Sequence, residues 1–381
     1  MHCRDKALLI ASAAIACLWG PALLHAQSSP SDGRTATQSG TTAANPCPKY
    51  GCNDDAAAQS DASKPAKPYD WKASFAEYKV GKVPRLADGK PDLQGIWSRT
   101  TLVPLERPRG ASDKIDEAAA RHAEDEAQQK QFDLRTEPTD TPPGEKTTDA
   151  YNTFWRDGYW FKVPMTSLRT SQVVDPPDGR LPPSTPAARE QGRIAQVLDN
   201  RRAMSYEDRP LGSRCIRTSR GGFTGGGPGG QESTFEIVQG YDAVIVRVEV
   251  SVVTQQIFLD GRPLPPANVH LAEGASRGHW DGDTLVVETS NFTDPRKHLT
   301  ERWKRLDDTH LLYGFTDVDP AARTKPYSVE VVFWRLPDQE QLVEYACHEG
   351  NVGLEFTLSA ARAKDREDAA EAAEEAKGNS K

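Results

Sequence analysis

The sequence lacks two features that would place the protein in a membrane or on nucleic acid. The apolar run at 7–18 is too short for a transmembrane helix, and Gly20-Pro21 would interrupt any continuation of it. The net charge of −8 is spread over the chain with no basic stripe, which excludes the usual electrostatic footprint of a nucleic-acid-binding protein. We therefore expect neither a stable membrane span nor a nucleic-acid partner.

The common catalytic and cofactor motifs are also missing. There is no HExxH and no closely spaced pair of histidines for a metal, and no G-x-S-x-G for a serine hydrolase. Residues 221–230 hold seven glycines, but no Gly-Lys-Ser/Thr follows them, so they are not a phosphate-binding loop. The sequence predicts no metal site and no cofactor, and it predicts a flexible loop at 221–230.

The start of the sequence indicates an exported protein. Residues 1–26 resemble a signal peptide, with Arg4 and Lys6 before the apolar run and Ala26 at its end. This predicts a periplasmic or secreted protein. A lipoprotein anchored at Cys17 is the alternative, because residues 14–17 loosely match a lipobox.

Signal removal leaves four cysteines, which suggests two disulfides in an oxidising compartment. Cys47 and Cys52 are close enough in sequence to pair locally, and this leaves Cys215 for Cys347. The alternative is two buried free thiols at Cys215 and Cys347.

The composition divides the chain into a tether, one folded domain and a tail. Residues 27–68 are rich in small and polar residues and predict a disordered tether. A single β-rich domain is expected at 69–363, with helices near 111–132 and 186–204, before a charged tail at 364–381. The dense aromatic cluster at 151–161 fits either a core segment or the wall of a binding site.

Strand patterns dominate the second half of the domain. Short runs rich in β-branched and aromatic residues are predicted at 92–97, 173–174, 235–239, 243–250, 253–259, 284–290, 298–306, 310–317, 327–336 and 342–347. No helix-length pattern separates those after 235, which excludes parallel βαβ winding. We predict a mainly β fold, an antiparallel meander that closes into a calycin-like barrel or a sandwich, with two peripheral helices.

Polar residues at strand ends and hairpins are the candidate ligand-binding residues. Segment 276–294 contributes a polar tight stretch before its strand, and the turn at 260–262 and strand 243–250 contribute others. The candidates are Glu249, Asp260, Arg262, Arg277, His279, Trp280, Asp283 and Asn351. His348 and Glu349 follow Cys347 and are the candidate catalytic acid–base pair, because a disulfide would hold them in place. The alternative for all of these residues is a structural role in turns, with hydrogen bonds to local partners only.

Several motifs resemble a large, uncharacterised family of exported β-rich proteins from environmental bacteria. They are YNTFW, TSQVVDPPDGRLPP, EDRPLGSRC, EIVQ, FLDGRPLPP, SRGHWDGDTLVVETSNF and YACHEGN, and they run from about Asp92 to Ala363. The resemblance implies a secreted β domain and no assigned reaction. The family pattern has a His and an Arg where this chain has Val252 and Gln255, which puts in doubt any activity that needs those side chains. Gly95-Ile96-Trp97 is also similar to the start of lipocalin-type barrels.

Three hypotheses for function follow. The leading one is an exported barrel that binds a small, partly apolar molecule. The second is a lyase or hydrolase on the same barrel that uses His348 and Glu349, with Arg262 or Arg277 polarising the substrate. The third is a structural protein of the cell envelope. The sequence leaves the ligand and the oligomeric state open.

Overall fold

The computed structural model describes residues 69–136, 164–216, 234–249, 254–337, 342 and 346–378, with the backbone alone at 131–136. The chain divides into two units, Met1–Ala66 and Lys67–Lys381, and every described residue belongs to the second. The predicted signal peptide, tether, Cys47–Cys52 pair, aromatic cluster and glycine-rich loop lie outside the described residues, and so does Val252.

Ten strands form one sheet that closes into a barrel. They are β1 (Gly95–Ser98), β2 (Val173–Asp175), β3 (Thr234–Gln239), β4 (Ala243–Val248), β5 (Thr254–Phe258), β6 (Ala275–Asp281), β7 (Thr284–Ser290), β8 (His298–Arg305), β9 (His310–Val318) and β10 (Tyr327–Arg335). β1 pairs with both β3 and β10, so nine strands close the barrel, and β2 adds a tenth at the start of β10. The fold is therefore a barrel and not a sandwich.

The barrel departs from the predicted antiparallel meander at one place. β5 and β6 are parallel, with Ile257 opposite Ser276 and Phe258 opposite Arg277. The connection 259–274 therefore crosses from one end of the barrel to the other, as a parallel pair requires. The stretch predicted as a polar tight segment is strand β6, which pairs with β7 along its whole length. A residue with positive φ, Gly282, makes the turn between them.

The helices lie outside the barrel. They are α1 (Trp71–Phe75), α2 (Glu117–Thr136), α3 (Pro186–Asn200) and α4 (Val352–Gly378). α3 begins as predicted, with the Thr185 side chain accepting from Ala188 N–H. α2 begins later than predicted, because the Asp116 carboxylate accepts from Ala119 N–H while Ser112 bonds to the Lys114 carbonyl. Among the described helices, none combines the length and apolar character that a bilayer crossing needs.

The end of the chain also differs from the prediction. Leu342 and Ala346 are outside regular structure and Cys347 begins a turn, so the strand predicted at 342–347 is absent at these described positions. Helix α4 then starts within the predicted domain and runs through most of the predicted tail. Ion pairs from Arg202 to Asp365 (2.9 Å) and Asp368 (2.7 Å) hold this polar helix against the segment that follows α3.

Alternation along the strands fills the barrel with apolar side chains. Phe235 and Ile237 of β3 point inward, and so do the alternate valines of β4. Aromatic rings fill the middle: Trp303 lies 4.3 Å from Tyr313 between ring centroids, and Tyr313 stacks on Phe333 at 5.4 Å. The middle of the barrel is therefore a packed core.

The N-terminal segment closes one end of the barrel, which we call the hairpin end because the β3–β4, β6–β7 and β8–β9 connections meet there. Leu93 of this segment is completely buried inside the barrel. Its N–H donates to Gln239 Oε1 at 2.8 Å, and its carbonyl accepts from Trp97 Nε1 at 3.1 Å. Arg305 Nη1 also donates to the carbonyl of Asp92 at 2.8 Å. β3 begins and β4 ends at the opposite end of the barrel, which we call the loop end.

Cys215 and Cys347 form a disulfide across a sequence separation of 132, with sulfur atoms 2.04 Å apart. The bond joins the turn before α4 to the short 3₁₀ segment Leu211–Arg214. Asn351 Nδ2 donates to the Ser213 carbonyl at 2.9 Å, and the Asn351 Oδ1 atom accepts from Leu354 N–H at the start of α4. The predicted long-range pair is present.

Replacing Leu93 by alanine should destabilise the barrel by about 2–5 kcal/mol, because a fully buried side chain leaves a cavity when it is shortened. Chemical denaturation of the full chain measures this. Leu264→Ala is the matched control, since Leu264 is 40% exposed, and it should cost less than about 0.5 kcal/mol. Equal effects of the two changes would show that Leu93 does not close the barrel.

Breaking the disulfide by Cys215→Ser with Cys347→Ser should lower stability by about 2–5 kcal/mol, because the long loop is no longer closed in the unfolded chain. Denaturation with and without reductant checks the value, and non-reduced peptide mapping checks the link. The Cys47→Ser, Cys52→Ser double variant is the control, and it should leave the second unit unchanged. Two freely alkylated thiols at Cys215 and Cys347 would refute the pairing.

Candidate functional site

Asp260 and Arg262 satisfy each other within their own turn. The Arg262 guanidinium donates to both Asp260 carboxylate oxygens, with Nε 2.8 Å from Oδ2. The backbone N–H of Arg262 also donates to Asp260 Oδ1. These hydrogen bonds from Arg262 lower the pKa of Asp260. The guanidinium lies 3.9 Å from the centroid of the Phe258 ring. The pair therefore shapes the turn that leaves β5.

Arg277 anchors the crossing connection 259–274 to the outer face of the barrel. Its Nη2 donates to the Pro263 carbonyl at 2.7 Å, and its Nε donates to the Arg262 carbonyl at 3.0 Å. Asn291 supports the same connection with a bond from Nδ2 to the Val269 carbonyl at 3.0 Å. These contacts give Arg277 a role in fixing the parallel β5–β6 pair.

Trp280 and Asp283 fasten the N-terminal segment to the hairpin end. Trp280 packs against the core, and the Lys90 ammonium lies 5.7 Å from its ring centroid. Arg85 donates to both oxygens of Asp283, at 2.9 and 2.7 Å, and this pairing lowers the pKa of Asp283. His279 is exposed on the outer face of β6.

His348, Glu349 and Glu249 lie in turns. His348 and Glu349 follow the disulfide in the turn before α4, and Glu249 follows β4 at the loop end, where its N–H donates to the Thr234 carbonyl at 3.0 Å. Within the described ranges, no hydrogen bond or ion pair joins the side chain of His348 or Glu349 to a barrel strand. The described contacts therefore do not gather the predicted residues into one site, and their roles in binding or catalysis stay predictions.

A polar cluster inside the barrel was missed by the sequence analysis. It is centred on Glu301, which is completely buried on the inner face of β8. Its carboxylate accepts from Gln255 Nε2 at 2.7 Å and from the Tyr313 hydroxyl at 2.9 Å. Gln255 Nε2 also donates to Ser276 Oγ at 3.0 Å, and that hydroxyl lies 2.8 Å from Thr289 Oγ1.

The alternation in β8 is the signal that would have located this cluster. Leu299 and Trp303 flank Glu301 at a spacing of two, so the carboxylate shares their inward face. The same rule places Gln255 inward with Ile257 and Asp317 inward with Phe315.

Two acceptor atoms in this interior have no hydrogen-bond partner among the described residues. Gln255 and Asp317 are each only 6% exposed, and Gln255 Oε1 and Asp317 Oδ1 receive no hydrogen bond. Exchanging the amide oxygen and nitrogen of Gln255 would place its carbonyl against the Glu301 carboxylate, and two acceptors would then face each other. The Gln255 NH₂ group therefore faces Glu301, and Oε1 is the atom without a partner. An unpaired buried acceptor costs free energy and needs an explanation.

Asp317 lies at the loop end, where the Tyr327 hydroxyl donates to its Oδ2 at 3.2 Å. Burial raises the pKa of Asp317, although the positive charge of Lys297 and the bond from Tyr327 act in the opposite direction. Burial, followed by the nearby Asp317 carboxylate, also raises the pKa of Tyr327. The Asp317 carboxylate is therefore held in an unfavourable environment.

A concave site lies on the outer wall beside the β8–β9 hairpin. It is a cleft of about 400 Å³. Tyr78, Leu306 and Val332 form an apolar floor, and they belong to a small outer core with Phe75 of α1. The absence of a side chain at Gly314 allows this packing, because a Cβ there would lie 2.9 Å from the Phe75 ring.

The sides of the cleft are charged. Asp307 and His310 form one side, with His310 Nδ1 3.0 Å from Asp307 Oδ1. On the other side, Glu77 Oε2 pairs with Lys114 Nζ at 3.1 Å and with Arg169 Nη2 at 3.2 Å.

Beneath the cleft, the buried Glu330 carboxylate accepts from the Tyr69 and Tyr78 hydroxyls. Burial first, and then the charge of Glu330, raise the pKa of both tyrosines.

The described residues contain no group of three or more His, Cys, Asp or Glu side chains arranged to hold a metal ion. Comparisons of the chain with protein-family models, curated proteins and solved structures found no match.

Replacing Asp317 by asparagine should stabilise the protein at neutral pH, because the raised folded pKa means that ionising this buried carboxylate costs stability. Asparagine keeps an acceptor for Tyr327 without the charge. Since the wild-type cost disappears once the group is protonated in both states, the gain should vanish below about pH 4. Denaturation curves from pH 3 to 8 check this, and a gain that does not change with pH would contradict it.

Proposed function

We propose that this protein is an exported binding protein that holds a small, partly apolar molecule with a hydrogen-bond donor inside the loop-end half of its barrel. The observation that carries the proposal is the pair of buried, unpartnered acceptors, Gln255 Oε1 and Asp317 Oδ1. A hydrogen-bond donor on a ligand could bond to either acceptor, the amide oxygen of Gln255 or the carboxylate oxygen of Asp317. The barrel and the Cys215–Cys347 disulfide are compatible with export to an oxidising compartment.

The position of the polar groups supports this half of the barrel. Gln255 and Ser276 are the second residues of their strands, and Thr289 and Asp317 are the next-to-last residues of theirs. All four strand ends belong to the loop end. The hairpin-end half is closed by Leu93, and aromatic rings pack the middle, so we place the ligand in the loop-end half.

The surrounding residues supply the apolar part of the site. Val248, Phe292 and Leu299 are buried in the same core at this end. Binding sites for small molecules are mostly apolar with a few placed polar groups. A ligand with an aromatic or aliphatic body and an amine or hydroxyl group matches this lining.

Stability and binding should oppose each other at Asp317. Its raised pKa marks a group that costs folding free energy at neutral pH. Groups that destabilise the free protein are often retained because a ligand needs them.

Benzylamine and benzoate are a matched pair of probes that share a ring and differ in the polar group. We expect benzylamine to bind the full chain and benzoate not to enter the barrel, because the interior presents acceptors. Asp317→Asn should weaken benzylamine binding by about tenfold, the loss of one charge-assisted hydrogen bond. Calorimetric titration or NMR shift mapping measures both ligands.

Asp283→Asn is the control, since it also removes a carboxylate but at the hairpin end. It should leave benzylamine affinity unchanged. Equal loss in both variants, or NMR shifts from benzylamine that fall outside the barrel interior, would overturn the proposal. Loss of binding in His348→Ala or Glu349→Gln, with Asp317→Asn unaffected, would favour a site at the disulfide turn instead.

A further inference from the structure

The outer cleft beside the β8–β9 hairpin is separate from the barrel interior and has a different chemistry. We infer that this cleft binds a small amphiphilic carboxylate, with an apolar body on the floor and the anionic group between the charged sides. The inference does not depend on a ligand in the barrel.

The floor can hold an apolar body. Leu306 and Val332 are almost fully buried beneath it, and the Tyr78 ring completes it. A volume of about 400 Å³ is within the range of pockets that take small organic molecules. Because the floor belongs to the packed outer core, it is formed before any ligand arrives.

The charges around the cleft favour an anion. Three fixed cations line it, Lys79, Lys114 and Arg169, against the two carboxylates of Glu77 and Asp307. Glu77 is shared between Lys114 and Arg169, and the buried Glu330 carboxylate lies 3.7 Å from Arg169 beneath the lining. Among the described residues, no ion pair engages Lys79, so its ammonium is the cation that the anionic group of a ligand can reach.

His310 offers a ring nitrogen to a ligand in the cleft. Its Nδ1 is held by Asp307, at 3.0 and 3.1 Å from the two carboxylate oxygens, and by Thr309 Oγ1 at 3.0 Å. No described residue bonds to Nε2, which leaves that nitrogen as the donor for a ligand once the ring is protonated. Histidine side chains change charge between about pH 8 and about pH 5.

The neighbouring groups keep their charges over that range. Burial alone would raise the pKa of Asp307, but the hydrogen bonds from Thr309 and His310 outweigh it and lower the pKa. Burial alone would lower the pKa of Arg169, but Tyr78, Glu330 and Glu77 outweigh it and raise the pKa.

The test uses 2-naphthoate and its neutral isostere 2-naphthamide, titrated into the full chain by calorimetry. We expect 2-naphthoate to bind and 2-naphthamide to bind at least about threefold more weakly. Lys79→Met should weaken 2-naphthoate about threefold to fivefold, the range of a partly exposed ion pair. Lys82→Met is the matched control, because Lys82 is an exposed lysine three residues away that does not line the cleft, and it should have no effect.

The pH profile tests His310 separately. Affinity for 2-naphthoate should rise as pH falls from about 8 to about 5 in the wild type, and this rise should disappear in His310→Gln. Equal affinities for the two probes, equal effects of Lys79→Met and Lys82→Met, or a pH rise that persists in His310→Gln would each overturn the inference. Asp317→Asn should not change 2-naphthoate binding; if it does, the probe occupies the barrel and the cleft is not its site.

Discussion

Closure of the sheet by β1 is the constraint on which the rest of the structure depends. β1 is four residues long, yet it bridges β3 and β10 and so joins the two ends of the strand order. A closed sheet has no free edge, and every side chain is assigned to an inside or an outside. The segment just before β1 then lies over the hairpin end, where Leu93 enters the core. One short strand therefore both closes the wall and seals one end.

Closure also explains why polar groups inside the barrel indicate a binding site more strongly than polar groups on its rim. A carboxylate enclosed by nine strands cannot turn to water, so its partners must come from the inner face. Glu301 has such partners in Gln255 and Tyr313. Gln255 Oε1 and Asp317 Oδ1 have no such partner in the part of the chain that the structure describes, and a network with unmet acceptors costs stability unless something else completes it. The described contacts give no reason to keep them.

The sequence predicted the four strands between residues 284 and 335 closely because their alternation and turns are local signals. β7 matches its predicted limits, and β8, β9 and β10 differ by one residue at one end. The failures concern longer-range effects. β6 carries Arg277, Gly278 and His279, a poor strand former on propensity, and it is a strand because β5 and β7 pair with it on both sides. The parallel pair depends on a crossing connection that no local pattern specifies.

The contacts of the predicted site residues show a related limit of local sequence patterns. Asp-Gly-Arg turns and Asp–Arg pairs draw attention in a sequence, but a short turn lets such residues satisfy each other, as Asp260 and Arg262 do. Arg277 and Asp283 find partners in adjoining segments and hold the fold together. A residue is a better candidate for binding when some of its hydrogen-bonding capacity is still unused after its local partners have been considered. In a closed sheet, such residues lie on the inner face of the barrel. An inward Gln or Asp between apolar neighbours is therefore the better guide.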